Sequence, residues 1–475
     1  MFDPSKGNPM PISPFSRLST LLAASALAHS APALAGPNAG AEAQALDILK
    51  HAITFRSVAG TGNQTPQLAA YFKQQLVAGG FAPEDVTITP VDDTAYLIAR
   101  YRGSDPKLKP LLLSGHMDVV EAKPADWERD PFTPVIENGY IYGRGATDMK
   151  FDDALMIASL IDLKRQHFTP KRDVVLVLSG DEETIMKTTQ MIAAQFPDAY
   201  MLLNGDGGGG SLSEAGKPEY FSLEGAEKAY GDYTLTFTNP GGHSSAPRKE
   251  NAIYEMAAVL TRIGNHQFTP QLNEITKAYF LAAADRADPK TGAAMRAFAA
   301  DPTNRQAIAT LSADPSQVGH IGTTCVATMV NGGHALNALP QRATANINCR
   351  IFPGTSFKQV EDELVRVADD PKMQIHFTDT GTTASPPSPM RADVTAAVRE
   401  ALNVGYKGVP IVPSMASGAS DSMWFRVRGV PSYGVAPIFI KDSDDFSHGL
   451  NERTQVSNLA PGVAYWNVLI KRLSN

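Results

Sequence analysis

Two short apolar runs, Leu111-Leu112-Leu113 and Val174-Val175-Leu176-Val177-Leu178, constrain the fold more than anything else in the chain. A strand wetted on one face alternates apolar and polar residues, so a run that does not alternate is covered on both faces. Strands of that type form the centre of a largely parallel sheet held between helices. Helix-period stretches at residues 43–54, 66–79 and 152–166 alternate with these runs and with further strand-like segments at 95–101 and 199–204. The expectation is an α/β fold with a mostly parallel central sheet flanked by helices.

The texture changes near residue 231. A strand at 232–238 and a helix at 251–263 precede an Ala-rich stretch that ends near residue 316. Two strands carrying Cys325 and Cys349 follow, then a helix at 356–368 and a strand at 373–378. Together these read as an inserted α+β domain, a four-stranded sheet with helices on one face. The Thr, Ser and Pro of residues 380–389 form a return linker to segments at 394–402, 410–415 and 432–436, which resume the earlier style. The expected domains are 41–230 and 385–475 as two parts of a catalytic domain, with 231–384 between them. With 475 residues, 43% of them hydrophobic, the chain can fill two cores.

Residues 1–35 carry the marks of a signal peptide. Lys6 and Arg17 precede an apolar stretch that ends Ala33-Leu34-Ala35, so cleavage is expected after Ala35 and the product is expected in the periplasm or outside the cell. No later apolar run is long enough to span a bilayer, so no membrane partner is expected after signal removal. A formal charge of −7 lacks the basic footprint that nucleic-acid binding needs. Export bears on the cysteines. If their strands pair antiparallel about Asn337, Cys325 and Cys349 lie nearly opposite each other, and either a cross-strand disulfide or two buried thiols is open.

The chemistry gathers just past the strand ends, where ligands bind in open α/β sheets. Ser114-Gly115-His116-Met117-Asp118, Gly180-Asp181-Glu182-Glu183 and Asn204-Gly205-Asp206 each follow a strand. Gly143-Arg144-Gly145-Ala146-Thr147-Asp148-Met149-Lys150 opens a helix, and Ser447-His448-Gly449-Leu450-Asn451-Glu452-Arg453 lies near the end. Singly, each reads as a turn or a solvated pair. Together they place so much acid on one edge that a cation is required. Two divalent metals on His116, His448, Asp148, Glu183 and Asp206 would keep about one positive charge after three carboxylates. Two such ions ~3.5–4 Å apart can bring the pKa of water towards about 7. Nitrogen and carboxylate donors without sulfur suit zinc, with cobalt or manganese as substitutes. Asp118, two residues from His116 in an extended segment, can orient that imidazole. Of the neighbours Glu182 and Glu183, one can hold metal while the other faces the attacking water as general base.

These motifs resemble the co-catalytic zinc hydrolases that include glutamate carboxypeptidase, acetylornithine deacetylase, succinyl-diaminopimelate desuccinylase and aminoacylase. The resemblance runs from about residue 41 to the carboxyl terminus. It implies two zinc ions per subunit, with His116 and Asp206 on one and Glu183 and His448 on the other. Asp148 bridges them, Glu182 is the base and Asp118 orients His116. It also implies that the insert is a lid and a possible homodimerisation domain. Within the insert, Pro240-Gly241-Gly242-His243-Ser244 resembles a loop whose His steadies the oxyanion, and Asn348-Cys349-Arg350-Ile351 resembles a strand whose Arg holds the substrate carboxylate. Asn337 is the implied companion of Arg350 there. Without the resemblance, His243 reads as a turn residue and Arg350 as an exposed charge.

One departure is Phe151-Asp152-Asp153, where glycines are usual in such proteins. Gly207 to Gly210 read as a flexible turn, since no Lys-Ser/Thr follows as in a phosphate cradle. His51, His167, His266, His320, His334 and His376 lack acidic companions in the right places and read as surface or packing residues. The expected function is an exported carboxypeptidase or dipeptidase acting on small peptides. An N-acyl-amino-acid amidohydrolase is the alternative. A silent peptide-binding protein is disfavoured because every expected metal position is filled.

Overall fold

The computed structural model describes residues 39–475, and the expected signal peptide, residues 1–35, lies outside them. The two apolar runs form the strands Leu111–His116 and Val174–Ser179, every residue of which is buried. They pair in parallel, Leu111 opposite Val174 and His116 opposite Ser179. Met201–Asn204 joins the other side of Leu111–His116, also in parallel, and Ser432–Gly434 continues the set. Alternate residues enter different cores. Leu111, Leu113, Val174, Leu176 and Leu178 pack with the helices Ala39–Ile53, Lys150–Arg165 and Leu459–Ser474. Leu112, Val175 and Val177 pack on the opposite face with Ile192 and Phe425. Burial of each such side chain contributes ~1.5–3 kcal/mol, so the absence of alternation is a direct consequence of two covered faces.

The sheet has ten strands, parallel at its centre and in two outlying pairs, with antiparallel pairs between and beyond them. Thr94–Tyr101 runs antiparallel to Val174–Ser179 and to an outer strand, Val86–Val91. The long strand Pro218–Glu227, with no counterpart in the sequence reading, pairs antiparallel with Gly209–Leu212 and parallel with Ile411–Ala416. Gly207 to Gly210 therefore do not form a free flexible turn. Gly209 and Gly210 begin a strand that also pairs with Phe439–Lys441. A side chain on Gly210 would stand 2.2 Å from the Phe439 ring, which is why the chain uses glycine there.

A separate four-stranded antiparallel sheet has the order Thr324–Gly332, Arg342–Ile351, Ala229–Thr238, Gln374–Thr378. Its core includes Tyr233, Leu235, Phe237, Ile347 and Ile351. Met256 and Val259 from the helix Ala252–Gly264 and Val360 and Leu364 from Phe357–Ala368 close it. Both helices start on side-chain caps, Asn251 and Ser356. The Ala-rich stretch forms three helices, Glu274–Ala283, Pro289–Ala300 and Arg305–Ser312, with a small core around Phe280 and Phe298. Cys325 lies opposite Cys349 and the two form a disulfide, which settles the choice the sequence left open.

Candidate metal and catalytic centre

The parallel register brings three strand ends to one edge. His116 is the last residue of its strand, Asp181 to Glu183 follow Ser179, and Asp206 follows Asn204. Asp206 is aimed by its own strand end, its backbone N–H donating to Asn204 Oδ1 at 2.9 Å. The Asn204 amide is in turn held by the Ser420 and Ser422 hydroxyls, each at 3.0 Å. The acidic loop is pinned from two sides. The Asp181 carboxylate accepts from Lys187 and Thr188 backbone N–H groups, and Asp118 accepts from those of Glu182 at 3.1 Å and Glu183 at 3.0 Å.

His116 and His448 converge on one carboxylate. His116 Nε2 lies 3.1 Å from Asp148 Oδ1, 3.8 Å from Asp206 and 4.0 Å from Glu182. His448 Nε2 lies 3.1 Å from Asp148 Oδ2 and 3.0 Å from Glu183. Asp148 thus presents one oxygen to each imidazole, the geometry of a bridging ligand. Three donor groups lie close enough to share an ion: His116, Asp148 and Asp206; His116, Glu182 and Glu183; and Asp148, Glu183 and His448. All five residues expected as ligands are therefore brought together, with Glu182, only 8% exposed, beside them.

Asp118 differs in detail from expectation. His116 Nδ1 lies 3.0 Å from the Asp118 backbone oxygen and 3.7 Å from its carboxylate. A carbonyl can only accept, so Nδ1 carries a proton and Nε2 is the nitrogen turned to the acidic cluster. The Asp118 carboxylate is instead spent on the amides of the Glu182-Glu183 loop, because a strand end leaves those donors without ladder partners.

The electrostatics are those of a site suited to cations. Burial pushes Asp206 up to about 8, with Asp148 and Glu183 adding to it and His116 opposing. Burial and the Glu183 charge raise Asp118 to about 7 against the pull of His116. Burial and neighbouring acids hold Glu182 well above its usual range. His448 is raised to about 10 by its bonds to Asp148 and Glu183. For His116, burial works against the proton, yet Asp148, Asp206 and Glu182 hold its pKa well above normal. Among the described residues, no lysine or arginine pairs with Asp148, Glu182, Glu183 or Asp206, and the positive charge that faces these carboxylates is that of His116 and His448. The donor set is nitrogen and carboxylate oxygen only, which fits divalent zinc.

One residue within a quoted motif has a role the sequence did not reveal. Glu452, fully buried, accepts from Arg144 Nη1 at 2.7 Å and from the backbone N–H groups of Gly145, Thr147 and Asp148 at 3.1, 2.7 and 3.0 Å. It fastens the Asp148 loop to the segment that carries His448. Burial raises its carboxyl pKa while Arg144 and the amides of Asp148 and Thr147 oppose the shift. The substituted helix start is buried as well: Asp152 and Asp153 are 1% and 0% exposed, and both Asp153 carboxylate oxygens lack a hydrogen-bond partner.

The inserted-region candidates form a different group. His243 and Ala338 pair in a two-stranded ribbon, and Ser244 N–H donates to the Asn337 carbonyl at 3.0 Å, so His243 and Asn337 are neighbours. His243 is exposed and its Nδ1 contacts Ser245 rather than the acidic cluster. Arg350 donates to the Ser417 carbonyl at 3.1 Å and covers the Tyr230 ring at 4.7 Å. None of His243, Asn337 and Arg350 belongs to the metal-type groups. A cavity of about 480 Å³ begins at Asp148 and Asp206 and is lined by Tyr220, Val412, Ile438, Tyr279 and His320. His320, read from sequence as surface or packing, stacks on Tyr279 in this wall at 4.3 Å.

Residues 112–472 match the model of the peptidase family M20/M25/M40. A probable carboxypeptidase S-like protein of Dictyostelium discoideum is 26% identical over 404 residues, 79% of this chain and 74% of the relative. The mouse (Mus musculus) N-fatty-acyl-amino acid synthase/hydrolase PM20D1 is 29% identical over 375 residues, 75% of this chain and 73% of that one. Among solved structures, an M20 family metallo-carboxypeptidase of Sulfolobus solfataricus superposes with a TM-score of 0.69 at 18% identity, covering 90% of this chain and 98% of its own.

Proposed function

The chain belongs to peptidase family M20/M25/M40, and from that premise we propose that it is an exported two-zinc hydrolase cleaving an amide bond beside a free carboxylate. The observation that carries the proposal is Asp148 facing His116 with one oxygen and His448 with the other, next to a buried Glu182. His116 and Asp206 would hold one ion, Glu183 and His448 the other, and Asp148 both. Bound there, the ions supply Lewis acidity to the scissile carbonyl and acidify the attacking water. Glu182 takes the proton of that water and returns it to the leaving amine, which balances the hydrolysis. Asp118 keeps the Glu182-Glu183 loop in place through its two backbone bonds, and its carbonyl fixes the His116 tautomer.

Arg350, with Asn337, is assigned to the substrate carboxylate and His243 to the oxyanion. His243 lies outside the acidic cluster, so this role requires that residues 231–384 close over the site or that a second subunit presents it. The unpaired edge strand Thr324–Gly332, with Val326 and Val330 exposed by 59% and 64%, supports a homodimer through this region. The disulfide and the amino-terminal segment support an oxidising, extracytoplasmic compartment.

A carboxypeptidase or dipeptidase is our first reading. An N-acyl-amino-acid hydrolase is the second, favoured by the mouse relative's name. The test is a panel of dipeptides and N-acyl amino acids assayed with the wild type and Glu182→Gln. The variant should retain two metals by elemental analysis and lose about 10²- to 10⁴-fold in kcat. Near-normal turnover by the variant would remove Glu182 from its role, and metal-free activity in the wild type would end the two-metal reading.

A further inference from the structure

Among the described residues, two lysines are buried to the last few per cent, and their surroundings differ. Lys150 Nζ donates to the carbonyls of Ala52 at 3.1 Å and Phe55 at 2.9 Å, with the Glu452 and Asp153 charges nearby. Lys228 is 1% exposed, and its Nζ reaches only Thr324 Oγ1, at 3.4 Å. No carboxylate of the described residues acts on it, and the charge it feels most is that of Arg350, of the same sign. Burial and Arg350 together push the ammonium down to about 7. An ammonium taken out of water without a counter-charge is among the costliest groups a fold can hold. A buried polar group left in that state calls for a partner that arrives from outside.

Its location indicates which partner. Lys228 sits in the one-residue link between Pro218–Glu227 of the large sheet and Ala229–Thr238 of the small one. On one side its Nζ faces Gly319. A Cβ built on that glycine would stand 3.8 Å from Nζ and meet nothing else within 4 Å, so there is open space beside the ammonium. The next residue, His320, lines the cavity that begins at Asp148 and Asp206. Burial and the Lys228 charge hold this imidazole down at about 4, so it is neutral at physiological pH. Among the described residues, Arg350 also has no ion-pair partner. The acid that senses it, Asp232, is bonded to Asn346 and Asn348. Lys228, bonded to Thr324, and Arg350, which faces Thr324 across the strand pair, are therefore two neighbouring cations, and the segment beside Lys228 enters, at His320, the wall of the cavity that also reaches Asp148 and Asp206.

We propose that Lys228 and Arg350 together form the seat of the substrate's free carboxylate, with the substrate supplying the counter-charge that the chain withholds from Lys228. The proposal rests on the hydrolase reading above, which assigned that carboxylate to Arg350 and Asn337. One carboxylate between two cations explains why the fold keeps an unpaired ammonium next to a guanidinium. It also defines the substrate: an anion at this end is required, and an amide-capped analogue leaves both charges unmet.

The test compares the best dipeptide or N-acyl amino acid substrate with its carboxamide-capped form in the wild type, Lys228→Met and Lys228→Arg, all metal-loaded. The wild type should prefer the carboxylate. Lys228→Met should lose about 10- to 100-fold in kcat/KM on the carboxylate substrate, chiefly through KM, and change less than about twofold on the capped one. Lys228→Arg should recover part of the preference. Thermal melts separate this from a folding defect. Lys228→Met should melt at or above the wild-type temperature, because it removes an unpaired charge, and the hydrolysis product should raise the melting temperature of wild type but not of Lys228→Met. Full preference in Lys228→Met, or equal loss on both substrates, overturns the proposal and leaves the hydrolase reading intact. A wild type indifferent to capping overturns the carboxylate assignment itself, and Lys228 with it.

Discussion

Replacing Glu452 with Ala removes the acceptor of four hydrogen bonds, one from Arg144 and three from the amides of Gly145, Thr147 and Asp148. Bonds to a charged group contribute ~1.5–3 kcal/mol each, so simple addition would give roughly 6–12 kcal/mol. That sum is too large, because the four share one desolvated carboxylate and water can enter to meet some of the amides. The better guide is a buried pair broken by loss of one partner, at ~3–5 kcal/mol. The Arg144 side chain is 3% exposed and would keep an unpaired charge. Since Asp148 is tethered by the same carboxylate, metal affinity should fall as well, by about 10- to 100-fold, the range typical of residues behind a metal ligand. The assays are chemical denaturation and zinc competition against a chelator of known affinity. Adding Arg144→Met to Glu452→Ala should restore part of the stability but not the metal affinity, since Asp148 remains untethered. If Glu452→Ala lost less than about 1 kcal/mol and bound zinc normally, the view of Glu452 as the clasp of the bridging loop would be wrong.

Further expectations follow from the same geometry. Asp118, Asp206 and His448 all have folded pKa values raised above their ordinary ones, to about 7, 8 and 10. Raised groups give stability that is present below the unfolded pKa and lost as pH rises through the folded one. Metal-free protein should therefore melt at falling temperature from about pH 5 to pH 9, while zinc-loaded protein should stay nearly level, and a flat metal-free profile would contradict the repulsion argument. The Cys325–Cys349 bond closes a sequence separation of 24 residues, so Cys325→Ser with Cys349→Ser should lose about 3 kcal/mol in denaturant unfolding. Thiol titration of unreduced wild type should find no free thiol, and two reactive thiols would exclude the bond. Lysines at Val326 and Val330 should block edge pairing and yield a monomer by light scattering; a wild type already monomeric would end the homodimer proposal.

Elements that repeat a local physical signal were legible in the order of residues. The runs at Leu111 and Val174 could be recognised as doubly covered strands because burial on two faces removes alternation, and both are buried throughout. His116, Glu183 and Asp206 could be recognised because strand ends in such sheets share an edge, Asp148 and His448 because their motifs resemble those of the zinc hydrolases, and the structure gathers all five. The antiparallel setting of Thr94–Tyr101 and the pairing of Pro218–Glu227 were not legible, since direction and partner depend on where distant segments run. It took the folded chain to show that Asp118 braces the acidic loop with its carboxylate, that Glu452 clasps Asp148 across 304 positions of chain, and that Lys228 is buried with no acid of the described residues beside it. The division has one cause. Periodicity and turn chemistry act between near neighbours, whereas hydrogen-bond satisfaction and charge compensation depend on what folding brings alongside.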